Sequence, residues 1–414
     1  ETAPPSGKVN KDNVEEPLPD MKTLTDLQSR FRQPRIRRLS PAFGLAAAAA
    51  LFLYSFSFGG RLAALVLVGL GLGAALLHAS FGFTGAYRRV ILDKDMTGVS
   101  AQLVMLAAGV LLFAPFLAEG SVFGRSVVGA VAPVSVSMAF GAFLFGVGMQ
   151  VGGACASGTL FSVGGGSVRM VLLLFFFCLG AFWGSLDLYW WSSLPGIGPV
   201  SLGRMLGWID ATVLQLLALA LIFFGLRLAG RRNKGPLWFG PEKKWSLLRG
   251  PWPLLLSAGL LALLNWATLA IAGHPWSIVW GLTLWPAKAA AALGWDPASS
   301  AFWRGGFQQR ALARSVFADI TSVMNIAIII GAFIAAAFAG KASPPVRIPL
   351  KSLAAAILGG LMMGYGARLA YGCNIGSFFS GVASSSLHGW IWILFAVPGN
   401  ILGVRLRPAF GLGG

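Results

Sequence analysis

Apolar runs of about twenty residues recur from one end of this chain to the other, and about twenty is the helix length that crosses the hydrocarbon of a bilayer. They lie near residues 42–58, 62–78, 99–118, 127–151, 168–187 and 209–226, then near 253–272, 276–293, 318–339, 349–371 and 387–404. With 56% of its residues hydrophobic and 11% charged, a soluble globule of 414 residues has no way to bury them. No period-two alternation suggests a barrel. The expectation is an all-α polytopic membrane protein with about nine to eleven transmembrane helices.

The net charge of +18 does not point to nucleic acid, because the Lys and Arg sit in short runs at the ends of apolar segments. Such runs mark the cytoplasmic side of a membrane protein. Arg30, Arg32, Arg35, Arg37 and Arg38 precede the first apolar segment, which places the N-terminus in the cytoplasm. Four domains follow: a polar, largely disordered cytoplasmic tail over 1–40, a first membrane repeat over 41–229, a basic cytoplasmic linker over 230–250 and a second membrane repeat over 251–414.

The division into repeats rests on an ungapped internal match. Residues 145–161 (FGVGMQVGGACASGTLF) lie over 363–379 (MGYGARLAYGCNIGSFF), superposing Gly146, Gly148, Cys155, Gly158 and Phe161 on Gly364, Gly366, Cys373, Gly376 and Phe379. Asp95 and Thr97 before one span echo Asp319 and Thr321 before another, as helix-capping positions. The two homologous halves are read as inverted. Apolar pieces too short to cross, near 80–87, 154–163 and 374–383, are expected to be re-entrant half-helices beside Gly-rich junctions.

In both halves a long apolar stretch runs through a glycine junction (Gly153, Gly372) into a Cys and then a short helix containing Gly158 or Gly376. Cys155 and Cys373 therefore fall at helix N-termini, where free N–H groups and the helix dipole favour negative charge. An isolated buried Cys is commonly a packing residue; its duplication in a glycine frame favours a substrate pathway through Cys155, Cys373 and Asn374. Cys178, with Ala396 at its repeat position, reads as packing. Gln150 and Arg368, matched by the repeat, lie deep in apolar stretches, Gln150 as a hydrogen-bonding group and Arg368 either attracting an anion or snorkelling to the interface. His78, His274 and His388 are scattered, and no metal or cofactor site is expected. A membrane thiol–disulfide oxidoreductase using the two cysteines remains a second reading.

FGVGMQVGGACASGTLFSVGGGSVR and GGLMMGYGARLAYGCNIGSFFSGVASSSLHGW resemble the two Gly-Cys segments of the YeeE/YedE family of bacterial thiosulfate and sulfur-compound uptake proteins. The resemblance extends over about 65–404. It implies a multi-pass transporter of the bacterial inner membrane, not an enzyme, in which cysteines relay thiosulfate by S–H contacts. It also implies a small cytosolic sulfur-carrier protein as partner. Cys155 and Cys373 match the family's positions, whereas LLHASFGFTGAYRRVILDKD has Gly82 where the family has a further Cys. That departure leaves the substrate open between thiosulfate and another sulfur or selenium anion.

Overall fold

The computed structural model describes residues 34–239, 245–340 and 348–413. The tail expected over 1–40 falls outside the described residues as far as position 33, and helix α1 (Pro34–Phe56) begins at Pro34. By contacts, residues from Pro41 onward form one unit.

In hydrocarbon every backbone N–H and C=O must be satisfied internally, so apolar runs become helices. The first half contains α2 (Gly60–Ala79), α3 (Phe83–Leu92), α4 (Thr97–Glu119), α5 (Val136–Gly152), α6 (Ala156–Gly164), α7 (Val168–Ser192), α8 (Leu202–Leu206) and α9 (Trp208–Leu228). The second contains α10 (Leu254–Ala272), α11 (Val279–Ala292), α12 (Gly306–Ala313), α13 (Ile320–Ala339) and α14 (Leu350–Leu369). A π-helical segment (Asn374–Phe379), α15 (Ser380–Ala383) and α16 (Leu387–Leu406) complete it. Among the described residues strands are confined to two antiparallel pairs, β1 (Ser121–Val122) with β2 (Arg125–Ser126) and β3 (Pro133–Ser135) with β4 (Gly196–Pro199). Among the described residues nine helical stretches are long and apolar enough to cross a membrane.

Two of the eleven expected segments, 42–58 and 276–293, are not among these nine. Residues 276–293 give α11, whose 14 residues rise about 21 Å against the roughly 30 Å of a hydrocarbon core. Pro275 and the turn before Ile278 shorten it, and its place in the second half corresponds to that of α3 in the first. The first half-helix also begins later than its sequence suggests, at Phe83 rather than Ser80, because Ser80 takes a left-handed conformation that ends α2.

The packing is symmetric under exchange of the halves. Helix α14 packs on α7 and α5 on α16; α13 packs on α2 and α10 on α4; α5 meets α14, and α2 meets α10. Glycine makes these crossings close. An added Cβ on Gly146 would collide with the carbonyl of Ala396 in α16, and one on its repeat mate Gly364 with that of Phe177 in α7. Small residues of this kind are what membrane helices use to bring backbones together.

The stretch after α9 is docked rather than free. Asp95 Oδ1 accepts from Lys234 N at 3.1 Å, Ser100 Oγ donates to Asn233 Oδ1 at 2.8 Å, and Met96 N donates to the Arg232 carbonyl at 3.0 Å. Within the linker, 240–244 lie outside the described residues.

Candidate functional site

Helix α5 ends at Gly153, whose φ of 87° and close guanidinium neighbour, Arg169 Nη1 at 3.2 Å from an added Cβ, suit only glycine. The chain then turns and restarts at α6 with Cys155 as N-cap. Cys155 Sγ accepts from Gly158 N at 3.4 Å and lies 3.4 Å from Ser157 Oγ, while its carbonyl accepts from Thr159 N at 2.7 Å. The thiol replaces the hydroxyl that usually caps a helix.

The second half repeats this with a wider turn. Cys373 is the N-cap of the π-helical segment, and its thiol faces the N–H groups of Ile375 and Gly376. Gly372 admits the approach of Ser377, whose N and Oγ would lie 2.8 and 2.7 Å from any Cβ placed there. π-Helical turns are rare and concentrate at functional sites.

Both cysteines are free thiols, at 1% and 0% exposure, and they lie within electrostatic reach of each other. Two half-helix N-termini, one from each repeat, therefore meet in the buried core. Gly376 adjoins Ser277, just ahead of α11, with 3.6 Å from its would-be Cβ to Ser277 Oγ. Tyr87, from α3, stands near Cys155, and its hydroxyl faces the Asn374 side chain without closing a hydrogen bond. Three half-helices thus bring Cys155, Cys373, Asn374 and Tyr87 together.

The remaining sequence candidates are Gly82, Gln150 and Arg368. Gly82 is the N-cap of α3, the position that Cys155 and Cys373 hold on their helices, and an added Cβ there meets nothing nearer than the Ser80 carbonyl at 3.9 Å. Gln150 Nε2 donates to the Thr84 carbonyl at 3.0 Å and to Asn400 Oδ1 at 2.7 Å, bracing α5 against α3. Arg368 lies over the Phe302 ring, 4.4 Å from its centroid, in the stretch between α11 and α12. Neither side chain hydrogen-bonds a thiol among the described residues. Gln150 instead ties the first half to α16 of the second through Asn400, and Arg368 packs within its own half. Cys178 is buried in the main apolar cluster.

The sequence reading missed Tyr87. An aromatic residue beside Arg88 and Arg89 at the end of an apolar run has the composition of an interfacial anchor. Only the fold turns it inward.

A cavity of about 550 Å³ opens elsewhere, lined by Arg204, Trp208, Val128 and Ser384 among others, and contains neither cysteine. The thiols are sealed, so any solute reaching them requires movement of the surrounding half-helices.

The profile of the family described as "Sulphur transport" (Sulf_transp) matches residues 78–402. A Spirochaeta thermophila protein named "Thiosulfate transporter TsuA" is 28% identical over 359 residues, 81% of this chain and 96% of its own length. The Escherichia coli protein of the same name is 24% identical over 351 residues, 79% of this chain and 89% of its own. The Escherichia coli "Probable transporter YedE" is 32% identical over 165 residues, 39% of each chain.

Proposed function

Because the chain belongs to the sulphur-transport family, matched over 78–402, we propose that it carries thiosulfate or a closely related sulfur anion across the bacterial inner membrane. It is a transporter rather than an enzyme, with a polytopic helical bundle as its body. The names of two relatives supply the substrate, and the site supplies the chemistry.

The observation that carries this reading is the pairing of Cys155 and Cys373 at N-caps of half-helices from opposite repeats. Helix N-termini offer an anion unpaired N–H groups and the positive end of the dipole. A thiol is polarizable and a weak S–H donor, suited to a soft terminal sulfur. Between them the two ends make a dry constriction that recognises charge through backbone and sulfur through side chain. Glycines at 153, 158, 372 and 376 let backbone and sulfur approach the solute.

Orientation follows from charge. Arg88, Arg169 and Arg407 lie close together at the end of the bundle where α5 finishes, with Arg407 Nη1 donating to the Gln150 carbonyl at 2.8 Å. Arg89 and Arg232 flank Asp95 at the start of α4. By the positive-inside rule this end is cytoplasmic, as is the N-terminus with its arginine run. A small cytosolic sulfur-carrier protein would receive the anion there.

The experiment is growth of a bacterium lacking its own sulfate and thiosulfate importers, with thiosulfate as sole sulfur source. Wild type is expected to restore growth and Cys373→Ala, present at equal level in the membrane, to fail. Growth with both variants alike would remove the thiol from the pathway; no growth with well-expressed wild type would move the substrate to another sulfur or selenium anion.

A further inference from the structure

Asn374 is 1% exposed, yet neither its Oδ1 nor its Nδ2 has a hydrogen-bond partner. The Tyr87 hydroxyl is likewise buried and unpartnered, although the residue as a whole is half-buried. An unsatisfied polar atom in such a place is costly, and several are rarely tolerated side by side without a reason. Here they face each other across the start of the π-helical segment, Tyr87 beside Cys155 and Asn374 next to Cys373 in the chain.

We propose that the Tyr87 hydroxyl and the Asn374 amide form a donor pair for the oxygen atoms of a tetrahedral sulfur oxyanion, while the thiols of Cys155 and Cys373 face its terminal sulfur. The inference rests on the transport reading above and adds to it a division of labour within the site.

The chemistry of the two sets of groups differs in the required way. A phenol O–H is one donor and an amide NH₂ two, all of the hard kind that bind oxyanion oxygens well. The amide turns its nitrogen or its oxygen inward by a half-rotation, so an anion selects the nitrogen. Sulfur in the thiols contributes only weak, polarizable contacts. A site holding donors alone would take sulfate as readily as thiosulfate, and one holding thiols alone would take any soft anion. Together they select an anion that is oxygenated at one end and sulfur-terminated at the other. Asn374 also occupies the first helical position after Cys373, which keeps its side chain and the free N–H groups of the turn on one solute.

The test is anion binding by the purified full-length protein in detergent, measured by calorimetry, alongside uptake by the same preparations in vesicles. The probes are thiosulfate, sulfate and thiocyanate, the last with a terminal sulfur and no oxygen. Tyr87→Phe keeps the ring in place, and Asn374→Ala is the second variant. Each is expected to weaken thiosulfate and sulfate binding by about tenfold to hundredfold, as loss of a hydrogen bond to a charged group does. Thiocyanate binding should stay within about twofold of wild type, a shift too small to signal a lost donor.

Variants that bind both oxyanions as wild type does would overturn the donor pair, and so would an equal loss for thiocyanate, which would mark Tyr87 and Asn374 as structural supports that hydrogen-bond only each other. Wild type that binds oxyanions in detergent without moving them would overturn transport and leave the donor pair standing. Wild type that takes up thiosulfate while the variants match it would do the reverse. A wild type that binds none of the three would overturn both.

Discussion

The Gly158 N–H donates to Cys155 Sγ at 3.4 Å, so the thiol proposed to meet the solute also caps the half-helix it opens. Two roles in one atom are separable by substitution. Serine is among the best N-cap residues, and alanine among the poorer. Cys155→Ser should therefore melt within about 0.5 kcal/mol of wild type, whereas Cys155→Ala should lose about 1 kcal/mol. Both should lose thiosulfate uptake, since neither retains sulfur. Thermal unfolding and uptake on the same preparations check this, and a transport-competent Ser variant would reduce Cys155 to a cap.

Gly82 holds the matching N-cap on α3 with open space around it and an ordinary extended backbone, φ −118°. Gly82→Cys should fold with stability within about 0.5 kcal/mol of wild type. It should add a fourth thiol to the chain, one that alkylating reagents modify more slowly when thiosulfate is bound. Mass spectrometry of the labelled protein gives both rates, and identical rates would put Gly82 off the pathway.

Helix crossings set a different sensitivity. A Cβ at Gly364 would collide with the Phe177 carbonyl, while one at Gly259 in α10 meets nothing within 4 Å. Gly364→Ala should destabilise by about 1–3 kcal/mol or more, the cost of overpacking, and reduce the yield of folded protein. Gly259→Ala should be neutral or raise stability by up to about 1 kcal/mol, as alanine does in a helix interior. Melting temperatures in detergent compare them, and equal losses at the two positions would contradict the crossing.

Asp95 lies between α3 and α4, outside the spanning segments. Burial pushes its carboxyl up, but hydrogen bonds from the Thr97 hydroxyl and N–H and the Lys234 N–H, with the Arg89 charge 3.5 Å away, together hold it below the usual carboxylate range. A group depressed in the folded state contributes stability that is fully present above its unfolded value, about pH 4, and is lost as pH falls through the folded one. Stability of wild type should drop below about pH 4 more steeply than that of Asp95→Asn. Parallel melting profiles from pH 6 down to about 3 would contradict this.

Sequence made some of this legible and hid the rest for physical reasons. The apolar runs and the gapless match of 145–161 to 363–379 expose the helical bundle and its two halves, because bilayer thickness and close backbone crossings both write themselves into composition. The half-helices of Cys155 and Cys373 are readable because a glycine junction followed by a capping residue is a local signal. Residues 276–293 misled, since an apolar half-helix and a full span differ only in where they stop. Arg368 carried two readings in the sequence, and its position over Phe302 depends on a loop whose path no local pattern fixes. Tyr87 meets Asn374 from 287 positions away, a juxtaposition that only tertiary packing creates.

Purified wild type and its Cys155→Ser and Cys373→Ser variants, reconstituted in vesicles at equal density, should be given thiosulfate labelled in its terminal sulfur. Wild type is expected to accumulate label, and both variants, with unchanged melting temperatures, to fall to the level of empty vesicles. Serine variants that accumulate label at the wild-type rate would contradict a thiol pathway.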